Sequence, residues 1–126
     1  MKYSLIIMLF LVIPFLTVIA ESKVVTPIVK NPQITFVELG STTCIPCKQM
    51  VPVMKTIETK YKDIVQVTFY DVGKHKDMVD KYQIRLIPTQ VFLDKNGKEF
   101  FRHEGFYPAK EITKLIDKKL KEQKNK

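Results

Sequence analysis

The chain has 126 residues, 45% of them hydrophobic, with 21 Lys and Arg against 13 Asp and Glu for a formal charge of +8. That length holds one small domain rather than two. Two cysteines cannot staple a disulfide-dense mini-protein, and seven Pro with four Gly make neither a collagen-like nor a disordered chain.

In chain order, Met1-Lys2 gives a short positive start. An apolar run from Tyr3 to Ala20 follows, broken only by Ser4, Pro14 and Thr17. Val18-Ile19-Ala20 then forms a compact exit before Glu21. This is the layout of a secretory signal peptide over residues 1–20. A retained signal anchor is the competing reading, because eighteen residues at helical rise span roughly 27 Å, close to the hydrocarbon thickness. Pro14 and the small-residue exit favour cleavage, and no cysteine stands near the exit for lipid attachment. Either reading places the folded domain outside the cytoplasm, in a periplasm or on the outer membrane face, secreted or anchored through residues 3–20. A cysteine pair can be oxidised there. Without the leader the hydrophobic fraction falls to about 39%, ordinary for a soluble domain.

Residues 21–33 read as a linker with one short strand, Val24 to Val29, interrupted by Pro27. The domain then runs from 34 to 126. Ile34 to Leu39 is a mostly apolar buried strand. A loop over 40–43 leads to a helix from Ile45 to Tyr61, with Met50, Met54, Ile57 and Tyr61 on one face and a kink expected at Pro52. Met50 and Met54 read as core rather than as metal ligands. Ile64 to Val72 alternates as a strand. Lys74 to Tyr82 is a short polar helix with Met78, Val79 and Tyr82 inward. Thr89 to Asp94 and Lys98 to His103 are strands joined at Lys95-Asn96-Gly97, where Asn-Gly is expected to supply positive φ angles. Pro108 to Lys121 is a final helix, with Ile112, Leu115, Ile116 and Leu120 on one side. The helical crossover makes the first two strands parallel and the hairpin makes the last two antiparallel, an α/β fold with a mixed sheet.

Cys44-Ile45-Pro46-Cys47 stands between the first strand and the first helix. Unpaired N–H groups and the dipole at a helix start favour a thiolate, so Cys44 is the expected nucleophile. Cys47, one turn on, is placed to attack a mixed disulfide and release the reduced substrate. Pro46 suits the first turn, where its missing N–H costs nothing. Ile87-Pro88-Thr89 precedes a strand, and a cis proline there would set the Ile87 backbone beside the cysteines to pair with an extended substrate.

The stretch from Phe36 through Cys44-Ile45-Pro46-Cys47 to Pro52, with Lys81 to Thr89 and Val91 to Gly97, resembles the active-site region, cis-proline loop and hairpin of thioredoxins. Gly105 before the last helix matches as well. The resemblance covers about residues 34–120. It implies a thioredoxin-like fold, a central mixed sheet flanked by helices. Its N-terminal strand–helix unit is shortened, since 13 residues separate Ala20 from Ile34. It implies a redox-active Cys44–Cys47 disulfide, Pro88 as the cis-proline and Pro52 as the helix kink. Glu38 falls where thioredoxins carry a buried aspartate, which implies a raised pKa and proton exchange with Cys47. The alternative is that Glu38 reaches solvent from a strand end. Thr43 replaces the tryptophan common before the first cysteine, and Ile45 replaces the usual glycine, so the partner-facing surface differs.

The function expected is an extracytoplasmic thiol–disulfide oxidoreductase that reduces protein disulfides without a cofactor. A membrane thiol-electron donor would recharge it, and apocytochrome c in cytochrome maturation is one client class. An oxidase or isomerase shares the chemistry. A copper or zinc carrier is the competing class, but His75 and His103 lack paired-ligand spacing and Thr42 stands where a copper carrier has methionine. From position 110 on, seven lysines face three acids. That basic tail reads as a solvated helix face or a contact for an anionic membrane surface, and no basic–aromatic pattern points to nucleic acid. Lys48 adds to the positive field or merely covers the helix surface.

Overall fold

The computed structural model describes residues 28–125. The leader and positions 21–27 lie outside the described residues, as does the greater part of the strand expected over Val24 to Val29. Ile28 and Val29 are not in a strand. The Val29 N–H donates to Gln66 Oε1 at 2.7 Å.

The elements are β1 (Ile34–Gly40), α1 (Ile45–Lys60), β2 (Val65–Asp71), α2 (Lys76–Lys81), β3 (Thr89–Asp94), β4 (Glu99–Glu104) and α3 (Ala109–Lys124). They form one four-stranded sheet in the order β2-β1-β3-β4. β1 and β2 are parallel, and β3 is antiparallel to both of its neighbours, so the sheet is mixed as expected. β1 is central and buried on both faces, which is why its sequence is apolar at nearly every position. Ile34 and Phe36 join Met50, Val53, Ile57, Phe92, Ile112 and Ile116 in the larger core, beneath α1 and α3. Val37 and Leu39 face the other way, against Tyr82 and Val91 with Met78 and Ile84 packed alongside.

α1 is continuous through Pro52, whose ring is exposed. The Thr56 hydroxyl donates to the Pro52 carbonyl at 2.9 Å. At its far end the Tyr61 hydroxyl donates to Asp117 Oδ1 at 2.6 Å and lies 3.3 Å from the Thr113 carbonyl, which ties α1 to α3.

Two local expectations change. The second helix is shorter than Lys74 to Tyr82, because the N–H groups of Lys74 and His75 close a turn onto the Asp71 carbonyl before the helix begins. At the hairpin only Gly97 has a positive φ, +76°, so the turn is not an Asn-Gly pair with both residues left-handed. Asp94 organises a three-residue loop instead: its Oδ1 accepts from the N–H groups of Asn96 and Lys98, and its carbonyl accepts from Gly97.

Tyr61→Phe should lower stability by about 1–2 kcal/mol, because a part-buried hydroxyl bonded to a carboxylate is lost. Chemical denaturation measures this, and an unchanged midpoint would show that the α1–α3 tie contributes nothing.

Candidate active site

The site is built at the C-terminal end of β1. Cys44 is the N-cap of α1, with extended backbone angles, and its Sγ accepts from the Cys47 N–H at 3.3 Å. Its carbonyl accepts from the Lys48 N–H at 3.1 Å, which starts the helical ladder. Cys44 and Cys47 are joined as a disulfide, with Cα atoms 5.2 Å apart. Cys44 is half-buried, whereas Cys47 is 3% exposed. Pro46 lies in the first turn, which carries no acidic residue. The end of the helix that favours negative charge is therefore presented to sulfur without a competing carboxylate.

Gly40 makes the close approach between β1 and α1 possible. A Cβ there would lie 3.2 Å from both Cβ and Sγ of Cys47 and 3.4 Å from a Phe69 ring carbon. In the sequence Gly40 reads only as a loop residue. Its role depends on how the helix docks, which no local pattern reports. Phe69 was missed for the same reason. It lines an open groove of about 350 Å³ beside Cys47, together with Val51, Met54 and Val67.

Glu38, two residues before Gly40, is fully buried and does not reach solvent. Burial in an apolar surround pushes its carboxyl up to about 8. The nearby Gln90 amide offsets part of that rise, although no hydrogen bond of ordinary length joins the two side chains.

The Ile87–Pro88 peptide is cis. The Pro88 carbonyl accepts from the Gly105 N–H at 2.7 Å, which links this loop to the one before α3. Pairing of Thr89 with Leu39 brings the loop to the same end of the sheet as the cysteines. Ile87 is half-buried, and Pro88 and Thr89 are buried. The Thr89 hydroxyl donates to the Leu86 carbonyl at 2.6 Å, so this side chain supports the loop from within rather than facing a partner. Beyond Val51 and Phe69 in the groove, exposed apolar side chains at this end include Ile45 at 72%, Leu86 at 52% and Phe106 at 42%. Leu86 and Phe106 were not singled out from the sequence, because exposed apolar residues in short loops carry no periodic signal.

The histidines stay apart from the cysteines. His75 is the N-cap of α2, edge-on to Tyr70. His103 lies flat on Tyr107, with ring centroids 4.3 Å apart, and its Nε2 is 3.2 Å from the Phe106 carbonyl. Among the described residues no group of three or more His, Cys, Asp or Glu is placed to hold a metal ion.

The thioredoxin family profile matches residues 16–118. The chain belongs to the thioredoxin family. It is 34% identical over 91 residues to a chloroplastic thioredoxin Y of Oryza sativa subsp. japonica, covering 72% of this chain and 54% of that protein. It is 28% identical over 87 residues to a thioredoxin of Staphylococcus aureus, covering 69% of this chain and 83% of that protein. Among solved structures, thioredoxin NaTrxh from Nicotiana alata superposes with a TM-score of 0.61 at 32% identity, over 71% of this chain and 74% of that one. This thioredoxin-family chain spans about half the length of the plant relatives it matches.

Two outcomes follow from this geometry. Gly40→Ala should destabilise the disulfide form by about 1–3 kcal/mol, since the added methyl meets a Cys47 side chain that cannot retreat; thermal unfolding tests it, and an unchanged midpoint would show that helix and strand have slack there. Glu38 titrates higher folded than unfolded, so the folded state binds the extra proton. Stability should therefore fall as pH rises from about 4.5 to about 8 and level off above. Glu38→Gln should remove that slope and stabilise the disulfide form at pH 8, by on the order of a few kcal/mol, while changing little at pH 5. Equal gains at both pH values would contradict the buried, proton-retaining carboxyl.

Proposed function

We propose that this protein is a thiol–disulfide oxidoreductase that reduces disulfides in client proteins. One observation carries the reading. In a thioredoxin-family chain, a Cys44–Cys47 pair caps the first turn of α1, and Cys47 lies against Gly40, two residues along β1 from the buried carboxyl of Glu38.

In the reduced form, Cys44 is the thiolate that attacks. The Cys47 N–H that points at its sulfur and the start of α1 both stabilise negative charge there. Attack on a client disulfide forms a Cys44–client mixed disulfide and releases one client thiolate, which takes a proton from solvent. Glu38, in the fraction of molecules whose carboxyl has already lost its proton to solvent, takes the thiol proton of Cys47 as Cys47 attacks Cys44 Sγ. The Cys44–client bond breaks and the second client thiolate leaves. Two electrons pass from the cysteine pair to the client, and the Cys44–Cys47 disulfide remains. No metal or organic cofactor enters these steps. The exposed Ile45, Leu86 and Phe106 surround the reacting sulfurs with apolar surface that suits a locally unfolded client, and the Ile87 backbone is the natural pairing edge for it.

The setting belongs to the same proposal. The apolar run over residues 3–20 supports an extracytoplasmic location, as a signal peptide or as an anchor. Among the described residues no helix is long and apolar enough to cross a membrane. A reductant in an oxidising compartment needs recharging, so a membrane thiol-electron donor is the proposed partner. Apocytochrome c thiols in cytochrome maturation are one client class. The lysines of α3 offer a surface for anionic lipid headgroups beside that membrane.

Cys47→Ser should accumulate a covalent, dithiothreitol-sensitive complex with client proteins, and Cys44→Ser should abolish both that complex and turnover. A complex retained in Cys44→Ser would reverse the assignment of the two sulfurs. Stoichiometric copper or zinc binding by the full-length chain, without disulfide reductase turnover, would replace the enzyme reading with a carrier.

A further inference from the structure

Glu38 and Gln90 face each other directly where β1 pairs with β3, and both side chains are fully buried. Register extends this into a transverse row on one face of the sheet: Phe69 on β2, Glu38 on β1, Gln90 on β3 and His103 on β4. Two residues along, the equivalent pair is Phe36 with Phe92, whose rings stack at 4.8 Å. That is how an interior position of this sheet is normally filled. Gln90 instead places a carboxamide where an aliphatic side chain would pack. None of the four polar side-chain atoms of Glu38 and Gln90 has a hydrogen-bond partner among the described residues. A buried polar group left in that condition costs about 1–3 kcal/mol, so such groups are normally met by one another or by a buried water. Directly opposed residues on antiparallel strands have Cβ atoms roughly 4.5–5.5 Å apart, and a carboxyl and a carboxamide meet across that gap directly or through one water.

We propose that Gln90 is a positioning residue for Glu38, its carboxamide holding the carboxyl beneath Cys47 through both gain and loss of the proton. This rests on the reading of Glu38 as the proton acceptor for Cys47. A carboxamide suits the task because it carries both an acceptor and two donors. Its N–H groups donate to the carboxylate before the transfer. When the proton moves from Cys47 Sγ to Glu38, its carbonyl accepts from the new O–H. Gln90 itself neither gains nor loses a proton.

The titratable groups on the elements packed over this face are Cys47 on α1, against Gly40 two residues along β1, then Lys48, Lys55 and Glu58 of α1 along the groove shared with Phe69, and, beyond Gln90, His103 on β4 stacked on Tyr107. β2 contributes only the neutral Phe69.

The test uses the full-length chain as wild type, Gln90→Leu, Gln90→Met, Glu38→Gln and the double variant Glu38→Gln with Gln90→Leu. Carbon-13 NMR of the Glu38 carboxyl gives its titration midpoint in the disulfide form. Stopped-flow reduction of an aromatic disulfide, read on release of its second thiol, gives the pH profile of Cys47 attack. Both Gln90 variants should raise the carboxyl midpoint by about one pH unit and move the kinetic inflection the same way. Glu38→Gln should remove the inflection, and adding Gln90→Leu should change nothing more. Gln90→Met keeps the unbranched length of glutamine and carries the test if Gln90→Leu does not fold. If the Gln90 variants titrate and react as wild type while Glu38→Gln still removes the inflection, the role of Gln90 falls and that of Glu38 stands. If Glu38→Gln keeps the inflection, both fall.

Discussion

The contact on which the site depends is the seating of the first turn of α1 against the end of β1. Gly40 lets Cys47 come within van der Waals distance of the strand backbone, and a side chain at position 40 would hold the two apart. Once that turn is seated, one sulfur is inward and shielded, and the other caps the helix at its electropositive end. The same seating puts Cys47 above the stretch of β1 that carries Glu38. The asymmetry between the two cysteines is thus a packing result, and the division of labour proposed for them rests on it.

The sheet supplies the rest. Because β3 runs antiparallel to β1, the start of β3 lies at the end of β1, which delivers the Ile87–Pro88 loop to the cysteines. β4 then returns to the same end, and the N–H of Gly105, just past its last residue, closes onto the Pro88 carbonyl. Two loops and the start of α1, distant in sequence, meet there, each with one exposed apolar side chain, Leu86, Phe106 and Ile45. The Tyr107 N–H, 3.4 Å from Met50 Sδ, fastens the last of these loops to α1.

Much of this was legible in the sequence, and the reasons are physical. The β1 run from Ile34 to Leu39, the α1 face of Met50, Met54, Ile57 and Tyr61 and the α3 face of Ile112, Leu115, Ile116 and Leu120 are periodic signals of burial; all are buried except Thr35, Met54, Leu115 and Leu120, which are half-buried. The Cys44–Cys47 spacing at a strand–helix junction reports its own geometry. The parts not legible depend on cross-strand register or docking. Gln90 looks like an ordinary strand residue until pairing sets it opposite Glu38. Gly40 and Phe69 matter only once α1 is seated. At the hairpin, the Asn-Gly signal was outweighed by the Asp94 carboxylate, whose two backbone hydrogen bonds select a longer turn. The Thr89 hydroxyl turns inward to the Leu86 carbonyl, a local bond that the sequence beside Pro88 does not report.

Direction is where the account commits most, because an oxidase and a reductase share every bond described above. They differ in how far the reduced pair is favoured over the disulfide. Equilibration of the Cys44–Cys47 couple with glutathione or dithiothreitol at pH 7 measures that difference as a reduction potential. A reductase should show a value of about −270 mV, that of a reducing dithiol, and a value of about −120 mV, that of a strong oxidant, would contradict the proposed direction.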